Sequence, residues 1–132
     1  MRKTTAAIVT VVTGLVWSGA GLAAERHVPN VTNLRASPAK FCARKTDRCH
    51  HDGTHVRFSL STRAKVRIDI SERAFLNGPI VEFVGKLPKG KNDFYLHDKR
   101  LHTGWWTIRV QGTNRVGSGG VDTVKVHVVK HD

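Results

Sequence analysis

Carboxylates are scarce in this chain: 10 Asp and Glu stand against 22 Lys and Arg. A hydrolytic centre built on paired carboxylates needs two acids in one place. Asp47, Asp52, Asp93 and Asp98 instead fall in turn-like segments among basic residues, which suits turn capping and solvation. No serine or cysteine stands at a credible spacing from a base, so no catalytic residue is assigned and no enzyme is expected. Long apolar runs are lacking too. Beyond the first segment nothing approaches the roughly 20 apolar residues that cross a bilayer, which argues against a helical transmembrane segment, and no apolar tail or sorting signal is expected. There is no helical periodicity and no internal repeat. Basic and aromatic residues do not alternate in a recognisable binding motif, so no specific nucleic acid is expected.

What the chain does have begins with an address. Arg2 and Lys3 supply a positive start, Ala6 to Val16 an apolar stretch, and Ser18 to Ala24 the small residues a signal peptidase requires. Residues 1–24 are therefore predicted to be a signal peptide, cut after Ala23 or Ala24. Glu25 stands where a lipoprotein would need its acylated cysteine. Residues 25–132 are expected to form one domain, secreted and monomeric, with a single core. Losing only Arg2 and Lys3 leaves that domain with a net charge of about +10, which concentrates anionic partners around it whatever its fold.

The strongest pattern lies at Val56 to Ile70, where Val56, Phe58, Leu60, Val66, Ile68 and Ile70 alternate with Arg57, Ser59, Lys65, Arg67 and Asp69. Period-two alternation marks strands with one packed and one wet face. The same reasoning predicts seven strands: 31–36, 56–61, 64–71, 80–84, 94–96, 106–110 and 121–129, with Phe41 as a plug under one edge and turns at Asn77–Pro79, Pro88–Asn92 and Gly112–Gly120. Trp106, Ile108 and Val110 face inward, as do Val124, Val126 and Val128. The chain is predicted to be all-β, an antiparallel two-layer sandwich.

Four motifs then resemble a known family. LSTRAKV from Leu60, GKN from Gly90, LHTGWW from Leu101 and TNRVG from Thr113 occur in the order and spacing of bacterial immunoglobulin-like or fibronectin-III-like domains of secreted and cell-surface proteins. Trp106 replaces the usual tyrosine, and Asn114 the usual aspartate. The resemblance covers nearly all of 31–129 and implies a seven-stranded Ig-like sandwich used as a spacer, adhesive or carbohydrate-associated module, with no catalytic residues to transfer. It also implies that the third, sixth and seventh predicted strands share a sheet.

On that order Lys65, Arg67, Arg109 and Lys125 gather on one open face. There they are candidate contacts for an anionic cell-envelope or extracellular polymer. Basic residues on solvated strands also deter edge-to-edge aggregation, so the charge has a second explanation. Trp105 should face opposite to Trp106, either stacking on a sugar ring or covering the arm around Leu101 and His102. Cys42 and Cys49 are expected to form a local disulfide, as an even count in an exported chain suggests. Neither sits where the inter-sheet bridge of antibody domains would need it. His50, His51 and His55 are candidate copper or zinc ligands, although histidines at this spacing are also ordinary surface residues. No cofactor is required.

Overall fold

The computed structural model describes residues 27–72 and 78–132; the proposed signal peptide and Asn77 of the predicted turn lie outside them. The alternating stretches are strands: β1 (Val31–Ser37), β2 (Lys40–Cys42), β3 (Thr54–Leu60), β4 (Ala64–Glu72), β5 (Ile80–Leu87), β6 (Gly90–Leu96), β7 (Gly104–Thr113) and β8 (Asp122–Val129). Among the described residues there is no helix. The strands form a three-stranded sheet in the order β1-β3-β6 and a five-stranded sheet in the order β2-β8-β7-β4-β5.

Eight strands replace the seven expected, because β1 ends at Ser37 and the chain re-pairs after Ala39. Pro38 has no amide hydrogen to continue a ladder. Phe41, predicted as a plug, lies within the extra strand β2, which runs parallel to β8 with Phe41 opposite Val128. The sheets are therefore antiparallel except at that edge. β6 is longer than predicted: it pairs with β3 from Thr54 opposite Leu96 to Leu60 opposite Gly90. Gly90 and Asn92 form part of this strand, although turn chemistry was expected of them.

One core serves both sheets. Val56, Phe58 and Leu60 of β3 and Leu96 of β6 join Val66, Ile68 and Ile70 of β4, Trp106, Ile108 and Val110 of β7, and Val126 and Val128 of β8 in a single buried cluster. Fully burying such a side chain contributes roughly 1.5–3 kcal/mol, so the alternation read from the sequence is also the main source of cohesion. Cys42 and Cys49 are bridged, with their Cα atoms 6.2 Å apart. Just beyond the bridge, the backbone amides of His50 and His51 donate to Asp132 at 2.6 and 2.7 Å.

The β4–β5 register shifts between Ile68 and Asp69, opposite Phe83 and Val81 respectively, so Glu82 is the extra residue of a bulge. Its side chain is 8% exposed and lies 4.0 Å from Arg100. Burial pushes the Glu82 carboxyl up to about 8, and the neighbouring Asp98 carboxyl adds to the rise. Asp98 is held well below the usual carboxylate range, first by its bond from Arg100, which donates to it at 2.7 Å. Glu82 thus carries its proton in the folded state at neutral pH. Its ordinary value is 4.5, so the native state binds the extra proton between that value and about 8, and stability falls as pH rises through this window. Glu82→Gln should flatten that loss: urea midpoints of wild type and variant should agree near pH 4, with the variant more stable at pH 9 by a few kcal/mol, order of magnitude.

Candidate functional site

Because β4, β7 and β8 are neighbours, their odd-parity residues form one outer surface. Across β4 and β7, Lys65 stands opposite Thr113, Arg67 opposite Gln111 and Asp69 opposite Arg109. Across β7 and β8, Arg109 stands opposite Thr123, Thr107 opposite Lys125 and Trp105 opposite His127. All four candidate cations therefore share a face. The row from Lys65 to Lys125 runs about six residues along β7, roughly 20 Å at strand rise.

The middle of this row is not a set of free charges. Asp69, expected to be a solvated outward residue, is only 3% exposed. Arg109 donates to it from Nε at 2.9 Å and from Nη2 at 3.1 Å, and Arg67 donates from Nε at 3.0 Å. The two guanidinium groups close over the carboxylate from adjacent strands, and this charge-assisted clamp is what permits an acid to be buried on a sheet's wet face. The carboxylate in turn raises the Arg109 pKa further. Arg67 remains half exposed, and its two η nitrogens lie outside the clamp, so a ligand can reach it. Arg109 has its fork engaged. At the two ends Lys65 and Lys125 are exposed and make no ion pair among the described residues.

Trp105 is half exposed and stacks on His127, with ring centroids 4.4 Å apart and planes 9° from parallel. The arm around Leu101 and His102, the alternative neighbour expected for it, is engaged by the other tryptophan: Trp106 Nε1 donates to the His102 carbonyl at 2.9 Å. Trp105 lies beside Lys125 at one end of the cationic row, with a groove between Trp105, Thr107 and Lys125.

The three candidate metal ligands are used in two places. His50 Nδ1 lies 3.1 Å from Asp132 in the disulfide loop, whereas His55 Nδ1 lies 2.9 Å from Asp93 on the three-stranded sheet. Among the described residues the one group of three ligand atoms within 4.8 Å is Cys42, Cys49 and Asp132, and the bridge removes both thiolates from it. The outer face of the three-stranded sheet carries a polar constellation that sequence reasoning missed. Arg57 Nε donates to Asp93 at 3.0 Å, Tyr95 donates its hydroxyl to Asp52 at 2.7 Å, and His55 packs against the Tyr95 ring. The bonds from His55 and Arg57 lower the Asp93 pKa, and the Tyr95 hydroxyl does the same for Asp52.

No protein-family model, no curated protein and no solved structure matches the chain.

Asp69→Asn would take from Arg67 and Arg109 the buried carboxylate they share. Hydrogen bonds to charged groups contribute about 1.5–3 kcal/mol, so the variant should lose about that much stability in urea unfolding at neutral pH, while Arg67→Gln alone should lose less.

Proposed function

We propose that this is an exported, non-catalytic Ig-like β-sandwich that holds an anionic cell-envelope or extracellular polymer against the outer face of its five-stranded sheet. The observation that carries this reading is the single row formed by Lys65, Arg67, Arg109 and Lys125 across adjacent strands, with Trp105 at one end. Strand order supports the Ig-like part: β8, β7 and β4 are consecutive in one sheet, as the resemblance implied, and the two sheets share one core. The positive start and small-residue end of residues 1–24, with a disulfide in the domain that follows, support export.

Cations set about two residues apart along a strand meet successive negative charges of an extended chain, and the attraction is screened by salt. The Asp69 clamp refines the picture. It makes Arg109 chiefly a fixed scaffold, Arg67 a presented fork, and Lys65 and Lys125 the mobile contacts at the two ends. Trp105 offers an apolar ring where a sugar would lie flat.

Retention on an immobilised anionic cell-wall polymer, eluted with a salt gradient, tests the reading. Wild type should elute well above a neutral polysaccharide control. The Lys65→Ser, Arg67→Ser, Arg109→Ser, Lys125→Ser variant should elute with that control. Lys65→Ser with Lys125→Ser, which leaves the clamp intact, should lose most of the difference. Co-elution of the clamp-preserving variant with wild type would sink the proposal. If the polymer is a glycan, Trp105→Ala should weaken binding by about 2- to 10-fold, the range of one aromatic contact of about 0.5–1.5 kcal/mol, and should leave retention on a sugar-free polyanion unchanged.

A further inference from the structure

Three parts of the chain meet at the disulfide loop. Cys42 comes from β2, Cys49 from the loop that follows it and Asp132 from the residues beyond β8. One ligand atom from each, the two sulfurs and a carboxylate oxygen, lie within 4.8 Å of one another. Both cysteines are buried, and the Asp132 side chain is only 5% exposed. His50 brings an imidazole to the same place, with Nδ1 3.1 Å from the Asp132 carboxylate.

Backbone capping explains part of this cluster. Asp132 accepts the His50 amide through one oxygen at 2.6 Å and the His51 amide through the other at 2.7 Å, which leaves each oxygen a further lone pair. An asparagine carbonyl could also accept an amide there, so capping does not require a full negative charge beside two sulfurs. A closed bridge is neutral and gains nothing from that charge. An open one would gather as many as three negative charges, two thiolates and a carboxylate, a costly arrangement unless a cation joins them. The frame does not depend on the bridge either. The Cys42 amide donates to the His51 carbonyl at 2.8 Å and the Cys49 amide to the Thr46 carbonyl at 3.1 Å. With a sequence separation of 7 between the cysteines, opening so small a ring restores little chain entropy.

We propose that the loop, once reduced, binds a zinc ion through Cys42, Cys49 and Asp132, with His50 the nearest fourth ligand, so that the bridge gates a metal site. Two thiolates, a carboxylate and an imidazole are donors that zinc takes in tetrahedral geometry. Softer copper(I) favours sulfur alone, and calcium or magnesium favours oxygen alone. The reductant is a dithiol. Its two sulfurs join as a disulfide, its two hydrogens pass to Cys42 and Cys49, and zinc then displaces those hydrogens as protons to water. Zinc binds only the open form, so it shifts the loop toward the dithiol, and oxidation of the loop expels the metal.

The test uses the chain recovered after expression with its own N-terminus, both bridged and reduced, the dithiol being removed without air before titration. Cobalt(II) serves as the visible probe and zinc as its competitor. The reduced chain should bind about one cobalt, with thiolate charge-transfer absorption and tetrahedral visible bands, and zinc should displace it with release of about two protons. The bridged chain should show none of these. Asp132→Asn, which keeps a carbonyl for the loop amides, should weaken zinc binding by about 10- to 100-fold, with the amide shifts of β4 and β7 unchanged as evidence of folding. No thiolate absorption, equal binding by the bridged chain, or unchanged zinc affinity in Asp132→Asn would overturn the proposal. So would a loss of core amide shifts on reduction that zinc does not restore. Unchanged affinity in His50→Ala would overturn the fourth ligand alone.

Discussion

The pairing of β4 with β7 is the constraint on which everything else in the molecule rests. Its register sets Ile68 against Val110 in the core and Asp69 against Arg109 on the outer face. Because side chains alternate with period two, a slip of β4 by one residue would carry Lys65 and Arg67 into the core and expose Val66, Ile68 and Ile70. The inner face resists that slip by burial, and the outer face resists it by the Asp69 clamp. A sheet pinned from both sides at its centre can carry β5 and β8 as flanks and still keep its outer-face side chains in fixed order.

A chain with so few acids cannot balance its bases, and several of the acids among the described residues are tied to structure. Asp52 accepts the Tyr95 hydroxyl, Asp93 holds His55 and Arg57, Asp98 holds Arg100, and Asp132 takes the amides of the disulfide loop. Each sits where a backbone segment or a cross-strand pair needs fixing. Among the described residues, Lys65 and Lys125, near the two ends of the outer face of the five-stranded sheet, make no ion pair. An even spread of solubilising charge would not leave Lys65 beside Lys86 while sheltering Arg67 and Arg109.

The strands richest in alternation were legible as sequence, and so were their faces: Val56 to Leu60, Val66 to Ile70, Trp106 to Val110 and Val124 to Val128 all turn inward as parity requires. β2 was not, because three residues between the Ser37–Pro38 break and the basic loop Arg44–Arg48 are too few to carry a period. The first half of β6 was hidden because Gly90 and Asn92 occupy its inward positions. The bulge at Glu82 escaped because it breaks parity, the signal by which the strand was read. On the outer face, parity placed Asp69, Trp105 and the four cations correctly but could not say what they touch. The burial of Asp69 depends on two arginines from different strands, and the stacking of Trp105 on His127 depends on the neighbour sheet order supplies.

On the proposed reading, the paired centre and unpaired ends of the outer face divide the labour of binding. A uniformly cationic face would attract any polyanion in many registers, with little to fix its orientation. Here the clamp locks Arg109 and half-locks Arg67, so the middle of the face loses little side-chain entropy on contact. The lysines at the ends supply long-range attraction, and Trp105 discriminates by ring shape where charge cannot. The ends are themselves unlike. Trp105, His127 and Lys125 make a stacking surface with one cation, whereas Arg63, Lys65 and Lys86 make a cleft of charge with no apolar ring. A polymer lying across such a face has a direction, because its two ends meet different chemistry, and direction is what separates recognition from simple ion exchange.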